Sequence, residues 1–342
     1  MNGRLVGRGL RCALALTVLI AVPAAAQTTV KLGTLLPRGS SYYKQLVAMG
    51  EKWRDAPGGG VKLVIYPDGT QGGEADMVRR MRFGQLQAGL ISAVGLSEID
   101  RGVGGLQFMP LLYRSNEELD YVSERLRSTL EQRLRDKGFE VLYWADGGFI
   151  RLFSNRLVTA PADMGKIKLF TWAGGSETAQ LLKDAGFNPV PLETNDIGPS
   201  LQTGLIDAVC LPPFFALAGQ VDLQAPYMLD IGWSPLVGAM VVSKKTWDKL
   251  PAETQQSLRA SASETGKAIQ VDSRRESVSS IEAMKKRGLK VTVPPPDAMR
   301  LWENVATNAT QKVRGVLVPP EIFDQVLKLV AEFRAQQVPA KR

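Results

Sequence analysis

The sequence predicts an α/β protein built from two lobes, and three observations carry that prediction. The nine residues LQAGLISAV at 86–94 return at 201–209 as LQTGLIDAV, with seven of nine positions identical. Each copy follows an amphipathic run and places a glycine, Gly89 or Gly204, before an apolar stretch, the order typical of helix, left-handed cap and strand. The chain also opens as a βαβ unit, and its 342 residues suit two domains of ordinary size.

The first elements of the chain form that βαβ opening. The segments from Val30 to Leu35 and from Val61 to Tyr66 alternate or run apolar as strands do, and the segment from Tyr42 to Trp53 between them has a helical pattern. A turn and a glycine pair follow, and then a helix predicted from Glu74 to Gly84 leads into the first repeat copy.

The next elements complete the first lobe and begin the second. A charged helix is predicted from Asn116 to Lys137, followed by a strand from Phe139 to Trp144. The second lobe then runs from Arg151 through a strand from Lys166 to Thr171, a helix that starts near Ser176, and the second repeat copy.

The last third of the chain is predicted to involve both lobes. A strand from Gly238 to Ser243 crosses back to the first lobe, and the segment from Pro251 to about Arg287 has few helix breakers, which predicts one long helix spanning both lobes. The resulting division is 27–147 plus about 237–275 for lobe 1, 148–236 plus about 276–325 for lobe 2, and 326–342 for a C-terminal tail.

The N-terminus reads as a secretory signal. Basic residues precede an apolar run from Ala13 to Val22 and the small residues Ala24 to Ala26, so we expect residues 1–26 to be cleaved as a signal peptide. Arg11 before Cys12 argues against lipid attachment, and no later run approaches the ~20 apolar residues of a membrane span. We therefore expect a protein exported to the periplasm and not itself embedded in a membrane.

Composition argues against most enzyme classes. The chain has no histidine, and after cleavage it would retain one cysteine, Cys210, so histidine-based catalysis, histidine metal ligation and an internal disulfide are all removed. A buried apolar role for Cys210 is favoured over a reactive thiol, and no metal or cofactor is expected. Although the formal net charge is +8, its basic clusters lie in helix-like segments, typical of solvated faces, so no nucleic-acid partner is expected.

Several motifs, in order and spacing, resemble the extracytoplasmic solute-binding proteins of TRAP transporters, the DctP type. The resemblance implies a two-lobe periplasmic-binding-protein fold with a long helix spanning the lobes, closing over one small-molecule ligand. It also implies delivery of that ligand to permease subunits of the DctQ/DctM type, and we expect a monomer or weak dimer. The motifs are Gln71-Gly72-Gly73-Glu74, Gly84 to Gly89, Gly148-Phe149-Ile150-Arg151 with Ser154-Asn155, Pro161 to Thr171, Leu201 to Asp207, and Ser243 to Trp247.

The chain departs from this family where the family binds carboxylates. A family strand of pattern Asp-Leu-Lys-Gly-Leu-Lys-Leu-Arg-Thr-Pro supplies an arginine that pairs with the substrate carboxylate. Laid on residues 163–172, that arginine becomes Phe170 and the proline becomes Trp172. Strand alternation places Phe170 and Trp172 on one face. A family asparagine likewise falls at Leu211.

These comparisons give six expected ligand-binding residues: Arg151, Phe170, Trp172, Leu211, Phe214 and Phe215. The resemblance places Arg151 as the one retained clamp, although a structural pair with a carboxylate of the second lobe remains open, as does ordinary core burial of the aromatic rings. The expected ligand is a small, relatively apolar or aromatic organic solute, with a monocarboxylate included. The alternatives are a polar carboxylate binder using Arg151 alone, a sensor component that presents its ligand, and an exported enzyme.

Overall fold

The protein, in a computed structural model, is described over residues 27–337, so the predicted signal peptide lies outside the described residues. The strands are β1 (Thr28–Thr34), β2 (Val61–Tyr66), β3 (Ala88–Ser92), β4 (Phe139–Phe149), β5 (Arg151–Ser154), β6 (Lys168–Trp172), β7 (Asn188–Leu192), β8 (Ala208–Leu211), β9 (Tyr227–Leu229), β10 (Pro235–Ser243) and β11 (Lys290–Thr292). The helices are α1 (Ser41–Arg54), α2 (Glu74–Arg82), α3 (Ala93–Ser97), α4 (Asn116–Asp136), α5 (Ser176–Asp184), α6 (Ile197–Thr203), α7 (Pro213–Ala218), α8 (Lys244–Trp247), α9 (Ala252–Lys286), α10 (Pro296–Val313) and α11 (Pro320–Gln337).

The strands form two separate sheets, which confirms the predicted two-lobe α/β fold. The first sheet has the order β2-β1-β3-β10-β4 and the second the order β11-β9-β5-β8-β6-β7. Strand β1 is parallel to β2 and β3, whereas β10 is antiparallel to both β3 and β4. Strand β4 ends at Phe149 and β5 begins at Arg151, so the chain passes from one sheet to the other across Ile150.

The first sheet is buried on both faces, and β10 shows how. Met240 and Val242 join the apolar cluster under α1 and α9, while Ala239 and Val241 join the cluster on the opposite side, with α2 and α3. All four side chains are almost fully buried. Side chains alternate across a strand, so burial on both faces needs the continuous apolar run that this segment has.

Helix α9 is the long helix that the sequence predicts. It is 35 residues long, about 50 Å at the helical rise, and begins and ends within one residue of the predicted bounds. Leu258 and Ile269 pack with the core of the first sheet, whereas Met284 packs with the core of the second. One helix therefore contributes to both cores.

The repeated nine residues do not occupy equivalent places, which corrects the sequence interpretation. Gly204 caps α6 in the left-handed conformation, with φ of 70°. Gly89, its partner in the sequence repeat, lies within β3 and is paired with Gly33. The left-handed glycine after α2 is Gly84, with φ of 74°.

The true structural repeat relates positions 120 apart, since Gly84 matches Gly204 and Gln87 matches Asp207. The N–H of Gln87 donates to the Lys31 carbonyl at 2.9 Å, and its side-chain Oε1 accepts the Lys31 N–H at 3.0 Å. Asp207 repeats this with Lys168, at 2.8 Å and 3.0 Å. Both units therefore dock a helix end onto a parallel strand by the same pair of bonds.

The C-terminal segment differs from its expected division. Residues 320–337 form one helix, α11, which crosses the boundary at 325 and extends through most of the expected tail. Its buried face, including Ile322, Val326 and Val330, packs in a cluster with Leu126 and Leu130 of α4. Since α4 covers the first sheet, we propose a division in which α11 belongs to lobe 1 and α10, whose Trp302 packs against the second sheet, to lobe 2.

Candidate functional site

A cavity of about 160 Å³ lies where the two sheets meet. Thr34 and Ser92, at the carboxyl ends of β1 and β3, contribute from the first sheet, and Trp172 and Leu211, at the ends of β6 and β8, contribute from the second. In open α/β sheets, ligands bind in the crevice outside the carboxyl ends of parallel strands. This cavity, called the cleft below, is therefore the candidate ligand site.

Three of the six expected residues line the cleft: Trp172, Leu211 and Phe215. Trp172 packs edge-on against Phe170, with ring centroids 5.2 Å apart and planes at 74°. Both rings belong to one apolar cluster, as the expected strand alternation requires. Phe170 is 4% exposed and lies beside a second cavity behind the cleft, which it helps to line.

The structure gives Arg151 an internal partner. Its Nε donates to Asp230 Oδ1 at 2.7 Å, and its Nη1 donates to the Phe149 carbonyl at 3.3 Å. Because alternate side chains point to opposite faces of a strand, Ile150 and Leu152 line cavity walls, whereas Arg151 is not among the lining residues of the cleft or of the second cavity. This geometry favours the alternative interpretation of Arg151, a structural ion pair with a carboxylate of the second lobe.

Phe214 also lies outside both of these cavities in the described chain. Its ring centroid is 4.6 Å from that of Tyr42 and 5.3 Å from that of Phe215, within the core of the first lobe. Neighbouring residues on α7 point in directions about 100° apart, because a helix has 3.6 residues per turn. Phe215 therefore reaches the cleft, and Phe214 supports it from behind.

Glu74 is a cleft residue whose role the sequence did not reveal. Its carboxylate accepts hydrogen bonds from Ser92 N at 2.7 Å, Ser92 Oγ at 2.5 Å and Gly95 N at 2.9 Å. Burial raises the pKa of this carboxyl, although those three donors oppose the shift. The glutamate ended the Gln71-Gly72-Gly73-Glu74 motif, so its position was visible in the sequence, but its partners lie 18 to 21 residues further along the chain.

Asp146 is the second cleft acid, and its charge is compensated within the protein. Its Oδ1 accepts a hydrogen bond from Ser273 Oγ at 3.1 Å, and its Oδ2 pairs with Arg274 Nη2 at 3.1 Å. Arg274 also pairs with Asp120 on α4. This network ties the end of β4 to α9 and α4, beside the point where the chain changes sheets.

Two hydroxyl groups of the cleft are buried without a well-formed internal hydrogen bond. Thr194 Oγ1 makes none to the residues that the structure describes, and Tyr42 Oη has only the nearby Ser273 side chain, whose effect on the Tyr42 pKa opposes that of burial. Burial raises the pKa of Tyr42, so its hydroxyl stays protonated and can donate. Buried polar groups normally have partners, and a ligand in the cleft would supply them.

The cleft lining is short of positive charge. Its acidic side chains are Glu74 and Asp146, and no lysine or arginine of residues 27–337 is among the lining residues. Cys210 also lines the cleft, and burial raises the pKa of its thiol to about 12, so it stays neutral near pH 7. This side chain is therefore a small apolar wall group.

The described residues contain no group of three His, Cys, Asp or Glu side chains placed to hold a metal ion.

An ion pair between the lobes lies beside the second cavity. Arg101, in a 3₁₀ turn (Arg101–Leu106) that follows α3, places its Nη2 2.8 Å from Glu177 Oε1 in the first turn of α5. Its Nη1 donates to the Val316 carbonyl at 2.6 Å. Arg101 thus links the first lobe to both the second lobe and the C-terminal region.

Within residues 27–337, no helix has the length and apolar character needed to cross a bilayer.

Comparison with known proteins identifies similar chains. The family model described as "Bacterial extracellular solute-binding protein, family 7" (DctP) matches residues 32–314. The chain is 29% identical over 245 residues to the 2,3-diketo-L-gulonate-binding periplasmic protein YiaO of Escherichia coli, covering 68% of this chain and 71% of that protein. It is 24% identical over 314 residues to the C4-dicarboxylate-binding periplasmic protein DctP of Rhodobacter capsulatus, covering 89% and 91%.

Solved structures show the same fold. The sugar acid binding protein DctPAm of Advenella mimigardefordensis, in complex with galactonate, superposes with a TM-score of 0.83 at 17% identity, covering 90% of this chain and 98% of that one. DctP7 of Bordetella pertussis, described as binding pyroglutamic acid, superposes with a TM-score of 0.80 at 18% identity, covering 89% and 99%.

Proposed function

Because the chain belongs to the bacterial extracellular solute-binding proteins of family 7, we propose that it captures a small organic solute in the periplasm and delivers it to a TRAP permease. The family makes it a TRAP-type solute-binding protein. Permease subunits of the DctQ/DctM type are the partners proposed for it. Capture needs no covalent chemistry, since closure of the lobes removes the ligand from water and shifts the population toward the closed state.

The observation that supports this function most directly is the cleft itself. Walls from both sheets meet there, and the buried hydroxyls of Tyr42 and Thr194 make no well-formed hydrogen bond within the described residues. A ligand that accepts or donates hydrogen bonds would remove the cost of leaving them unpaired. The same ligand would contact both lobes at once, so its binding energy would favour the closed arrangement.

We propose that the solute has an apolar or aromatic part and at most one carboxylate. Trp172, Leu211 and Phe215 offer apolar surface, worth roughly 25 cal/mol per Å² removed from water. A dianion in the cleft would lose its hydration next to the carboxyl groups of Glu74 and Asp146. The described cleft lining has no lysine or arginine to pair with it in place of water. The cost of burying unpaired charge therefore disfavours small dicarboxylates.

A polar sugar acid is the second candidate, because similar structures are described as holding galactonate and L-gulonate. Calorimetric titration of the mature chain separates the two candidates. We expect phenylacetate and cyclohexanecarboxylate to bind more tightly than galactonate, gulonate or succinate. Tighter binding of galactonate or succinate would overturn the proposed ligand class while leaving the transport role intact.

The transport role has its own test. Mass spectrometry of the natively purified protein should find one small organic molecule in near-stoichiometric amount. That molecule, once added back to stripped protein, should be recovered unchanged after prolonged incubation. Chemical conversion of the molecule would contradict a binding protein and favour an enzyme.

A further inference from the structure

We propose that the second cavity, behind the cleft, is a separate binding site for an uncharged aromatic or alicyclic group of up to bicyclic size. The cavity has a volume of about 260 Å³. It lies between α5, α10 and the face of the second sheet that carries Leu152 and Leu169, and α3 covers it from the first lobe. The inference goes beyond solute delivery, because it rests on this cavity and needs no permease.

The walls of the second cavity are mostly rings and aliphatic side chains. The rings of Trp233 and Trp302 are 5.8 Å apart at 84°, and Phe187 lies 6.4 Å from Trp302. The indole N–H of Trp302 already donates to the Thr159 carbonyl at 2.9 Å. Its polar atom is therefore satisfied, and the ring presents apolar surface to the cavity.

The size of the cavity limits its ligand. An apolar protein cavity of about 150 Å³ is large enough to bind benzene, and such cavities stay dry when empty. A cavity with a volume of about 260 Å³ therefore has room for two fused rings. A group of this size would contact Trp233 and Trp302 together, in the offset or edge-on geometries that aromatic pairs prefer.

The charges around the cavity exclude an ionised group. Arg101 and Glu177 are paired with each other at 2.8 Å, and Glu98 is exposed. An anion or a cation would have to break that pair or remain without a partner. Ser97 Oγ is buried with no hydrogen-bond partner in residues 27–337, so one hydroxyl or carbonyl on the ligand would find a partner there.

The second cavity shares one wall with the cleft. Gln107, Ile150, Trp172 and Cys210 line both. The Gln107 side chain is fixed from behind, since its Oε1 accepts the Val237 N–H at 2.9 Å. Leu211 and Phe215 line the cleft alone, whereas Ala185 and Ala309 line the second cavity alone. Substitutions at these positions therefore distinguish the two sites.

The test uses 2-naphthol, a neutral bicyclic molecule with one hydroxyl, titrated into the mature protein by calorimetry and by quenching of tryptophan fluorescence. We expect saturable binding of one molecule, with an affinity tighter than about 1 mM. Ala309→Phe should fill the cavity and weaken binding at least about tenfold, a change of about 1.4 kcal/mol. Thr307→Phe, on the exposed side of the same helix, and Leu211→Ala, in the cleft, should leave the affinity within about twofold.

Three results would overturn the proposal. One is the absence of saturable binding to the parent protein. Another is equal weakening by Ala309→Phe and Thr307→Phe. The third is weakening by Leu211→Ala alone, which would place the probe in the cleft. If Ala309→Phe loses its circular-dichroism melting transition, Ala185→Phe fills the same cavity from the residue that follows α5 and takes its place in the comparison.

Discussion

At the scale of single residues, Trp172 contributes to both cavities, because it lines each of them and packs against Phe170. The sequence could predict that Trp172 and Phe170 share one face of β6, since alternation along a strand needs no knowledge of the rest of the fold. The sequence could not predict the orientation of Arg151. It depends on where β5 begins after the change of sheet, and a shift of one residue exchanges Arg151 with Ile150. Likewise, the sequence could not tell which of Phe214 and Phe215 reaches the cleft, because α7 is shorter than two turns.

Replacing Trp172 by Ala should weaken binding of the preferred apolar acid by roughly 1–3 kcal/mol, because a large ring leaves the wall of the cleft. Calorimetry on the variant measures the loss. Phe83→Ala provides the control, since Phe83 is an aromatic residue that is 75% exposed. An affinity for Trp172→Ala equal to that of the control would show that the ligand lies elsewhere.

Asp207 should make stability depend on pH. Burial would raise its pKa, but hydrogen bonds from Lys168 N and Asn155 Nδ2 and the nearby charges of Lys168 and Arg156 hold the pKa below its usual range. A carboxyl with a lowered folded-state pKa contributes stability above its unfolded pKa, near 4, and loses it as the pH falls through the folded value.

Asp207→Asn should therefore lower the free energy of unfolding by about 1–3 kcal/mol at pH 7, since one amide oxygen replaces two acceptors. Urea unfolding should show this difference shrinking as the pH falls below about 4. Asp297→Asn, at an 87% exposed side chain, is the control. A pH-independent difference would mean that packing, and not ionisation, explains the effect.

At the scale of elements, the close approach of α9 to β4 depends on Gly266. A Cβ at this position would lie 2.7 Å from the Tyr143 ring, which is 6% exposed and has little room to move. Glycine in the interior of a helix costs up to about 1 kcal/mol relative to alanine. Steric fit against β4 explains why it is tolerated here.

Gly266→Ala should lower the melting temperature in spite of its better helix propensity, because overpacking typically costs about 1–3 kcal/mol. Gly39→Ala, in the turn before α1, is the control, since Gly39 has no positive φ and a Cβ added there meets no described atom within 4 Å beyond its chain neighbours. Differential scanning calorimetry should show opposite shifts, down for Gly266→Ala and unchanged or up for Gly39→Ala. Equal shifts in melting temperature for the two variants would show that contact with Tyr143 does not explain the effect of Gly266→Ala.

The prediction of elements from sequence succeeded where a periodic pattern was long and failed where a short motif was matched by identity. Helix α9 needed only the absence of breakers over 35 residues. The nine-residue repeat gave a register five positions away from the structural one, because the sequence shows neither backbone angles nor the partners of Gln87 and Asp207. Helix α11 was divided at 325 because the sequence does not show that its apolar face meets α4.

At the scale of the whole molecule, the pair between Arg101 and Glu177 joins the lobes beside the second cavity. Both side chains are largely exposed, so the pair contributes little to the stability of either lobe. Its position gives it an effect on closure. Arg101→Ala should raise the ligand dissociation rate up to a few-fold, and added salt should reduce the difference from the parent.

Stopped-flow ligand release measures that effect, and Arg300→Ala is its control because Arg300 pairs with Asp297 within one helix. Small-angle scattering should also show a smaller radius of gyration for the parent at saturating ligand. An unchanged radius of gyration would contradict closure of the lobes. Equal release rates for the two variants would show that Arg101 does not stabilise the closed state.

The position of β10 between β3 and β4 also determines when this protein can fold. Without residues 235–243, β4 has no neighbour in its sheet and β3 has one open edge. A chain truncated before Pro235 should therefore be digested quickly by protease, whereas one that extends past Ser243 gains the strand that closes the first sheet.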